Sequence, residues 1–308
     1  MRSRDDFPFP RVQALPGLDR ASLQIDGQER VGFEFGTGGP RPFLFPVIGP
    51  SGRMLTRMGH PNPVGHEHHR SIWFGHQKVG AINFWEERPG RDVQVRHRRV
   101  VAYRDGVDWA GLAADLDWWA EGRSRMIQTL ILAIEPRDDG GFILDLQARF
   151  EASGGPVDLG QTNFGFLGVR VAKTISEQCG GGRLLNADGA TGEPALFGRQ
   201  SRWVDYSGPV APGRVEGIAY LDHPDNPGHP TSWHVRSDGW MEAAFNLARG
   251  WGIAADHPLD LRYRLWIHGP LADSTPIDRE WGRFAATPPL ERFADPTLQV
   301  PSLRRVSG

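Results

Sequence analysis

Glycine and proline recur along the whole of this chain, 39 and 25 of its 308 residues, so about a fifth of the sequence is turn-forming. Both residues interrupt helices, glycine through backbone entropy and proline through its missing N–H. Coiled coils, helical bundles and helical repeat arrays are therefore excluded, and the glycines follow no triplet period, which excludes collagen. Only 39% of residues are hydrophobic, but 11 Trp and 16 Phe supply apolar surface for a sizeable core. The expected fold is all-β: a large antiparallel β-sandwich with few short helices.

Local patterns place the elements. Residues 125–132 pass from charged to apolar, residues 141–150 alternate at period two, and Asp138-Asp139-Gly140 stands between them, so the pair reads as a hairpin. Further strands are expected at 93–103, 164–172, 217–222, 232–236 and 259–268, each bounded by Gly, Pro, Asp or Asn. One helix is signalled at 274–281, where Ser274 or Thr275 caps a first turn that holds Pro276 and Asp278. No linker-like composition and no repeat period interrupt the series. One domain over residues 1–308 is expected, with a core at about 20–287 and an extended tail at 288–308.

A formal net charge of -2 gives no field that favours nucleic acid or an anionic membrane surface, and a small neutral molecule is the expected ligand. The single cysteine, Cys179, excludes an intrachain disulfide and any cysteine-rich zinc or iron–sulfur site. The first ten residues lack the apolar stretch of a signal peptide, and no segment approaches the roughly 20 apolar residues of a membrane-spanning helix. A cytoplasmic location is expected.

His60, His66, His68, His69 and His76 crowd into 17 residues, where uniform scattering would place about 0.6. If the chain is extended from His66, then His66, His68, Arg70, Phe74 and His76 share one face, and Glu67, His69 and Trp73 the other. His66 and His68 would then present two imidazoles to one divalent cation such as Zn, Mn or Ca. Ile72 stands where a cupin needs a carboxylate, and the His-Glu-His-His run lacks zincin spacing. The competing reading is structural, because histidines also stack in polar cores and cap loops.

Three other stretches combine aromatic, amide and charged groups: Asn186 to Asp188, Trp203 with Asp205, and Asp222-His223 leading to His234 and Arg236. Neutral sugars favour such surroundings, since their apolar faces stack on aromatic rings and their hydroxyls need paired donors and acceptors. Ordinary turn chemistry is the alternative.

Residues 66–85, HEHHRSIWFGHQKVGAINFW, resemble the His-His-Arg-Gly-Leu-Trp-Phe-Gly-His signature of the bacterial PmoA-like family. The stretches NADG, WVDYSG, GIAYLDHPDNPGHPTSWHVR and LRYRLWIHG are similar to its other landmarks in the same order, so the resemblance covers about residues 40–285. Ser71-Ile72 stands where that pattern reads Gly-Leu, and Asp188 where Glu is common. The family is named for methane oxygenase, but a subunit of that membrane enzyme would need spanning helices, which this sequence lacks. The resemblance implies a sandwich similar to the galactose mutarotase-like supersandwich, and a place in carbohydrate catabolism alongside sugar dehydrogenases.

Together these readings lead to an enzyme acting on a sugar or keto-sugar glycoside by hydrolysis or elimination, with no nucleotide cofactor and with a sugar oxidoreductase as a candidate partner. The expected catalytic residues are His69, His76, Asp222, His223 and Arg70. A histidine would take a proton from carbon next to a carbonyl, Asp222 would orient His223, and Arg70 or a cation on His66 and His68 would stabilise the enolate oxygen. Trp73, Asn186, Trp203, Asp205, His234 and Arg236 are the expected substrate contacts. A metal-free sugar mutarotase or epimerase, and a non-catalytic carbohydrate-binding or scaffold protein, are the alternatives.

Overall fold

The computed structural model describes residues 9–36, 38–59, 66, 68–87 and 92–306. In chain order the first strands are β1 (Val12–Pro16), β2 (Arg20–Ile25), β3 (Gln28–Glu34), β4 (Phe43–Val47), β5 (Ile72–His76), β6 (Val93–Arg104), β7 (Ala110–Ala120), β8 (Arg123–Pro136), β9 (Phe142–Ala152), β10 (Val157–Leu159) and β11 (Gly165–Arg170). Helix α1 (Glu177–Gly180), β12 (Arg183–Asn186), helix α2 (Glu193–Leu196), β13 (Trp203–Ala211), β14 (Arg214–Asp222), β15 (Trp233–Arg236), β16 (Trp240–Ala243), β17 (Trp251–Ile253) and β18 (Leu259–His268) follow. The described chain closes with helix α3 (Thr275–Ala285), β19 (Leu290–Phe293) and β20 (Ser302–Arg305).

Two eight-stranded sheets make an all-β sandwich. The first runs β1-β2-β3-β4-β5-β11-β16-β15 and the second β12-β13-β14-β18-β9-β8-β7-β6, and every pairing is antiparallel. The core lies between them. In β9 the period-two pattern sends Phe142, Leu144, Leu146, Ala148 and Phe150 into it. Phe150 meets Phe166 of the other sheet at 4.7 Å between ring centroids, and Tyr220 donates its hydroxyl hydrogen to Leu167 O across the layers at 3.1 Å. The expected 125–132/141–150 hairpin is β8–β9, and the expected helix is α3.

Both sheets also carry apolar patches on their outer faces, so each needs a cover. On the second sheet, Ile277 and Phe284 of α3 pack over Trp203, Leu221 and Trp266. The residues expected to trail as an extended tail instead form the β19–β20 hairpin, because Leu290 and Leu303 bury against Ala102, Ala113 and Ile131. Beneath α3, Arg264 clamps Asp145 with two hydrogen bonds, at 2.6 and 2.8 Å, and reaches Glu280 of the helix at 2.7 Å.

His76 is fully buried. Its Nδ1 accepts from Lys78 N at 3.1 Å, and Nε2 lies 3.1 Å from Asn246 Oδ1. Burial lowers its pKa to about 4. The unfolded chain, with His76 near 6.5, therefore binds a proton that the native state refuses between pH 6.5 and about 4. Stability is present above that window and lost as pH falls through it. We expect His76 to remove about 3 kcal/mol between pH 7 and 4, read by urea denaturation as a pH slope that is shallower in His76→Gln.

Candidate functional site

The outer face of the first sheet is built by strict alternation. Trp73, Gly168, Glu242 and His234 stand side by side across β5, β11, β16 and β15, with Arg170, Trp240 and Arg236 in the next outward row. The intervening row of Ile72, Val169, Met241 and Val235 enters the core. Gly168 makes this face possible, since a Cβ there would lie 2.2 Å from the Trp240 ring, which rests across β11. Trp73, Trp85 and Trp240 then form a separate apolar cluster, with centroids 5.0 Å apart for Trp73 and Trp240 and 5.5 Å for Trp85 and Trp240.

Above this aromatic floor lies a cavity of about 320 Å³, lined by His66, His68, His69, Gln77, Trp85, Glu86, Phe164, Arg170, His234, Arg236, Asp238 and Trp240. His69 stacks on Trp240 at 5.1 Å, and the His68 and His69 rings meet edge to face at 4.6 Å. Arg170 Nη1 donates to Asp238 Oδ1 at 2.7 Å, which fixes the turn between β15 and β16.

At the edge of the cavity stands a histidine–carboxylate pair. His234 Nδ1 lies 2.7 Å from Asn163 O and 3.1 Å from Glu242 Oε2, so it faces two acceptors and carries the hydrogen. The ring's other nitrogen, Nε2, belongs to a residue that lines the cavity. Glu242 is wholly buried and also accepts from Trp240 Nε1 at 3.2 Å and from Gly165 N. Burial pushes its carboxyl up from the ordinary range, against the opposing pull of His234.

The structure gathers five of the expected residues, His66, His68, His69, His234 and Arg236, into this one cavity. It does not bring the others there. Strand β5 starts only at Ile72, after Ser71 at φ 57 breaks the extended chain. Before it, His69 N donates to His66 O at 3.2 Å, a turn contact in place of an extended run, so the alternation expected from His66 onward fails and His68 and His69 share the cavity. Arg70 turns to Glu87, with two hydrogen bonds at 2.6 and 2.7 Å, and His76 packs inside the fold. Trp73 lies in the aromatic floor rather than on the cavity wall. His60 and Glu67 lie outside the described residues.

Asp222 and His223 sit on the second sheet near α3, and neither lines this cavity. The partner of Asp222 is His229, whose Nδ1 is 2.7 Å away, with Asn226 Nδ2 and Thr231 N also donating to the carboxylate. His223 Nε2 accepts from Arg262 at 2.9 Å, and burial together with Arg262 lowers its pKa to about 4. Asn186 closes a turn by accepting from Asp188 N and Ala190 N. Trp203 is buried under α3 and donates Nε1 to Asp278. Asp205 pairs with His268 in a different cavity.

Sequence reasoning missed Gln77, Trp85, Glu86, Phe164, Arg170, Asp238, Trp240 and Glu242. A usable signal existed for the last three: Asp238-Gly239 follows the strand that bears His234, and Asp-Gly between apolar runs marks a hairpin whose return strand is β16. As for the expected cation, no group of three His, Cys, Asp or Glu among the described residues is arranged to hold a metal.

Fold and site together define an all-β sandwich protein with an aromatic-floored, histidine-lined cleft on the outer face of one sheet. The chain belongs to DUF6807, a family of unknown function, whose model matches residues 20–282. No protein of curated function matches it. Among solved structures it is similar to a protein described as a kojibiose phosphorylase from the human microbiome, with 8% identity, a TM-score of 0.37, and coverage of 91% of this chain and 37% of that one. It is also similar to the 4-alpha-glucanotransferase of Thermococcus litoralis, with 10% identity, a TM-score of 0.28, and coverage of 85% and 40%. The chain thus spans less than half the length of either structure. No helix among the described residues is long and apolar enough to cross a membrane.

Proposed function

We propose that this protein acts on a carbohydrate, held in the cleft between Trp85, Trp240 and Phe164, and that His234 is its proton-transfer residue. The observation that carries the reading is the His234–Glu242 pair at the edge of that cleft. Glu242 and Asn163 O hold hydrogen on Nδ1, which leaves Nε2 as the nitrogen that would act as a base on a ligand in the cavity His234 lines. The aromatic walls suit the C–H faces of a sugar ring, and Gln77, Glu86, Arg236 and Asp238 suit its hydroxyls.

The reaction class that fits such a base is proton removal from carbon adjacent to a carbonyl in an oxidised sugar. The C–H pair moves to the carbonyl oxygen as an enolate, and its return expels an oxygen substituent at the β-carbon, which takes a proton as it leaves. The proton from carbon rests on Nε2 until the leaving oxygen takes it, which completes elimination from a keto-glycoside. Hydrolysis adds one water to the resulting enone, its oxygen bonding to the β-carbon and a proton returning to the α-carbon.

The test is a screen of neutral glycosides and keto-glycosides, with NMR detection of products and calorimetric detection of binding. His234→Ala is expected to lower turnover about 10²–10⁴-fold, with sugar affinity changed by only a few fold. Binding without turnover by the wild-type protein would overturn the enzymatic reading and leave a carbohydrate-binding protein.

A further inference from the structure

A second cavity, of about 500 Å³, opens on the outer face of the second sheet beside the start of α3. Nothing in the proposed reaction uses it. Its polar centre is Asp205 of β13, which is 4% exposed and whose Oδ1 accepts from His268 Nε2 at 2.9 Å. The other ring nitrogen of His268 lies 2.6 Å from Gly269 O. Both nitrogens thus face acceptors and both carry hydrogen, so the ring is an imidazolium and the pair is neutral as a unit. Asp205 raises the His268 pKa against the lowering effect of burial, in agreement with that geometry. Gly217 keeps the room for this ring, since a Cβ there would lie 2.8 Å from His268 Cε1.

The second oxygen, Asp205 Oδ2, is reached by no described donor, yet its side chain is almost wholly buried and lines the cavity. An ionised carboxylate only accepts, so its complement must donate. An added cation would stand beside the imidazolium, and an anion beside the carboxylate. The start of α3 is no anion site either: Thr275 N is occupied by Asp273 Oδ1, and Ile277 N and Asp278 N by Ser274 O. Arg183 and Asp273, both at the exposed rim, carry opposite charges. Leu185, Leu271 and Ile277 add apolar walls suited to C–H groups.

We propose that this cavity is a binding site for a neutral polyhydroxylated ligand, one hydroxyl of which donates to Asp205 Oδ2 while its neighbour meets Ser207 or Arg183. It is separate from the His234 cleft and does not depend on the reaction assigned there.

The test titrates glycerol, D-glucose and D-galactose into the full chain by saturation-transfer NMR and calorimetry. Val215 lines the cavity and is 41% exposed, so Val215→Trp blocks it without touching the core. At least one probe is expected to bind the wild-type protein, and Val215→Trp and Asp205→Asn are each expected to weaken it about tenfold or more. Trp240→Ala, in the other cleft, is expected to leave that component unchanged. If Asp205→Asn melts early, Val215→Trp decides alone. Binding unaffected by Val215→Trp, binding lost only with Trp240→Ala, or no binding of any probe would each overturn the proposal, the second while leaving the His234 reading intact.

Discussion

Arg264→Met is expected to lower the unfolding free energy by about 3–5 kcal/mol, because it removes one partner from a buried charge network. Arg264 is 2% exposed and holds Asp145, 6% exposed, and Glu280, 3% exposed. Burial pushes the Asp145 carboxyl up, but Arg264 outweighs it and holds the group below its ordinary range. Without the guanidinium, two buried carboxylates are left with cations at their edges: Arg137 at 2.9 Å and the exposed Arg283 at 3.4 Å from Glu280, and Arg305 at 3.4 Å from Asp145. The measurement is urea denaturation with the slope of the transition checked for constancy. Adding Asp145→Leu and Glu280→Leu to Arg264→Met is expected to recover most of the loss, since an apolar replacement leaves no charge stranded. Failure of that triple variant to recover would show that packing under α3, rather than charge, sets the cost.

Glu242→Gln is expected to lower turnover about 10²–10⁴-fold on the sugar that the wild-type protein converts, with little change in sugar affinity. The substitution keeps the volume of a fully buried side chain and its acceptor for Gly165 N, but removes the negative charge beside His234 Nδ1. Asn163 O still holds the hydrogen on Nδ1, so the ring and its tautomer are kept, and what is lost is the charge that stabilises the imidazolium formed when Nε2 takes up a proton. A selective fall in kcat with the binding constant preserved supports this positioning role. An equal loss of both would mean that Glu242 serves only to hold β16 against β11.

Much of the architecture was legible locally. The β8–β9 hairpin could be read from period-two alternation around Asp138-Asp139-Gly140, and α3 from its proline and early acidic residue, because turn chemistry and side-chain period act over a few residues. The site was legible only in part. The histidine crowd from His66 and the polar stretch ending in His234 were each visible, but their meeting depends on β5 and β15 being separated by just two strands, β11 and β16, in the first sheet. Asp222 looked adjacent to a histidine in sequence and found a different one, His229, because the loop after β14 folds back over its own end.

What the sequence determined by itself was the class: breakers throughout and alternating, aromatic-rich runs point to an all-β fold with polar, aromatic turns. The tertiary structure decided which of those groups share a space. The turn closed by His69 N on His66 O brings His68 and His69 to the same cavity, Gly168 lets Trp240 lie across its neighbour, and strand register sets Glu242 beside His234. Side-chain chemistry is encoded residue by residue, whereas proximity between distant strands is fixed by sheet order and register, which are set by burying both faces of each sheet at once.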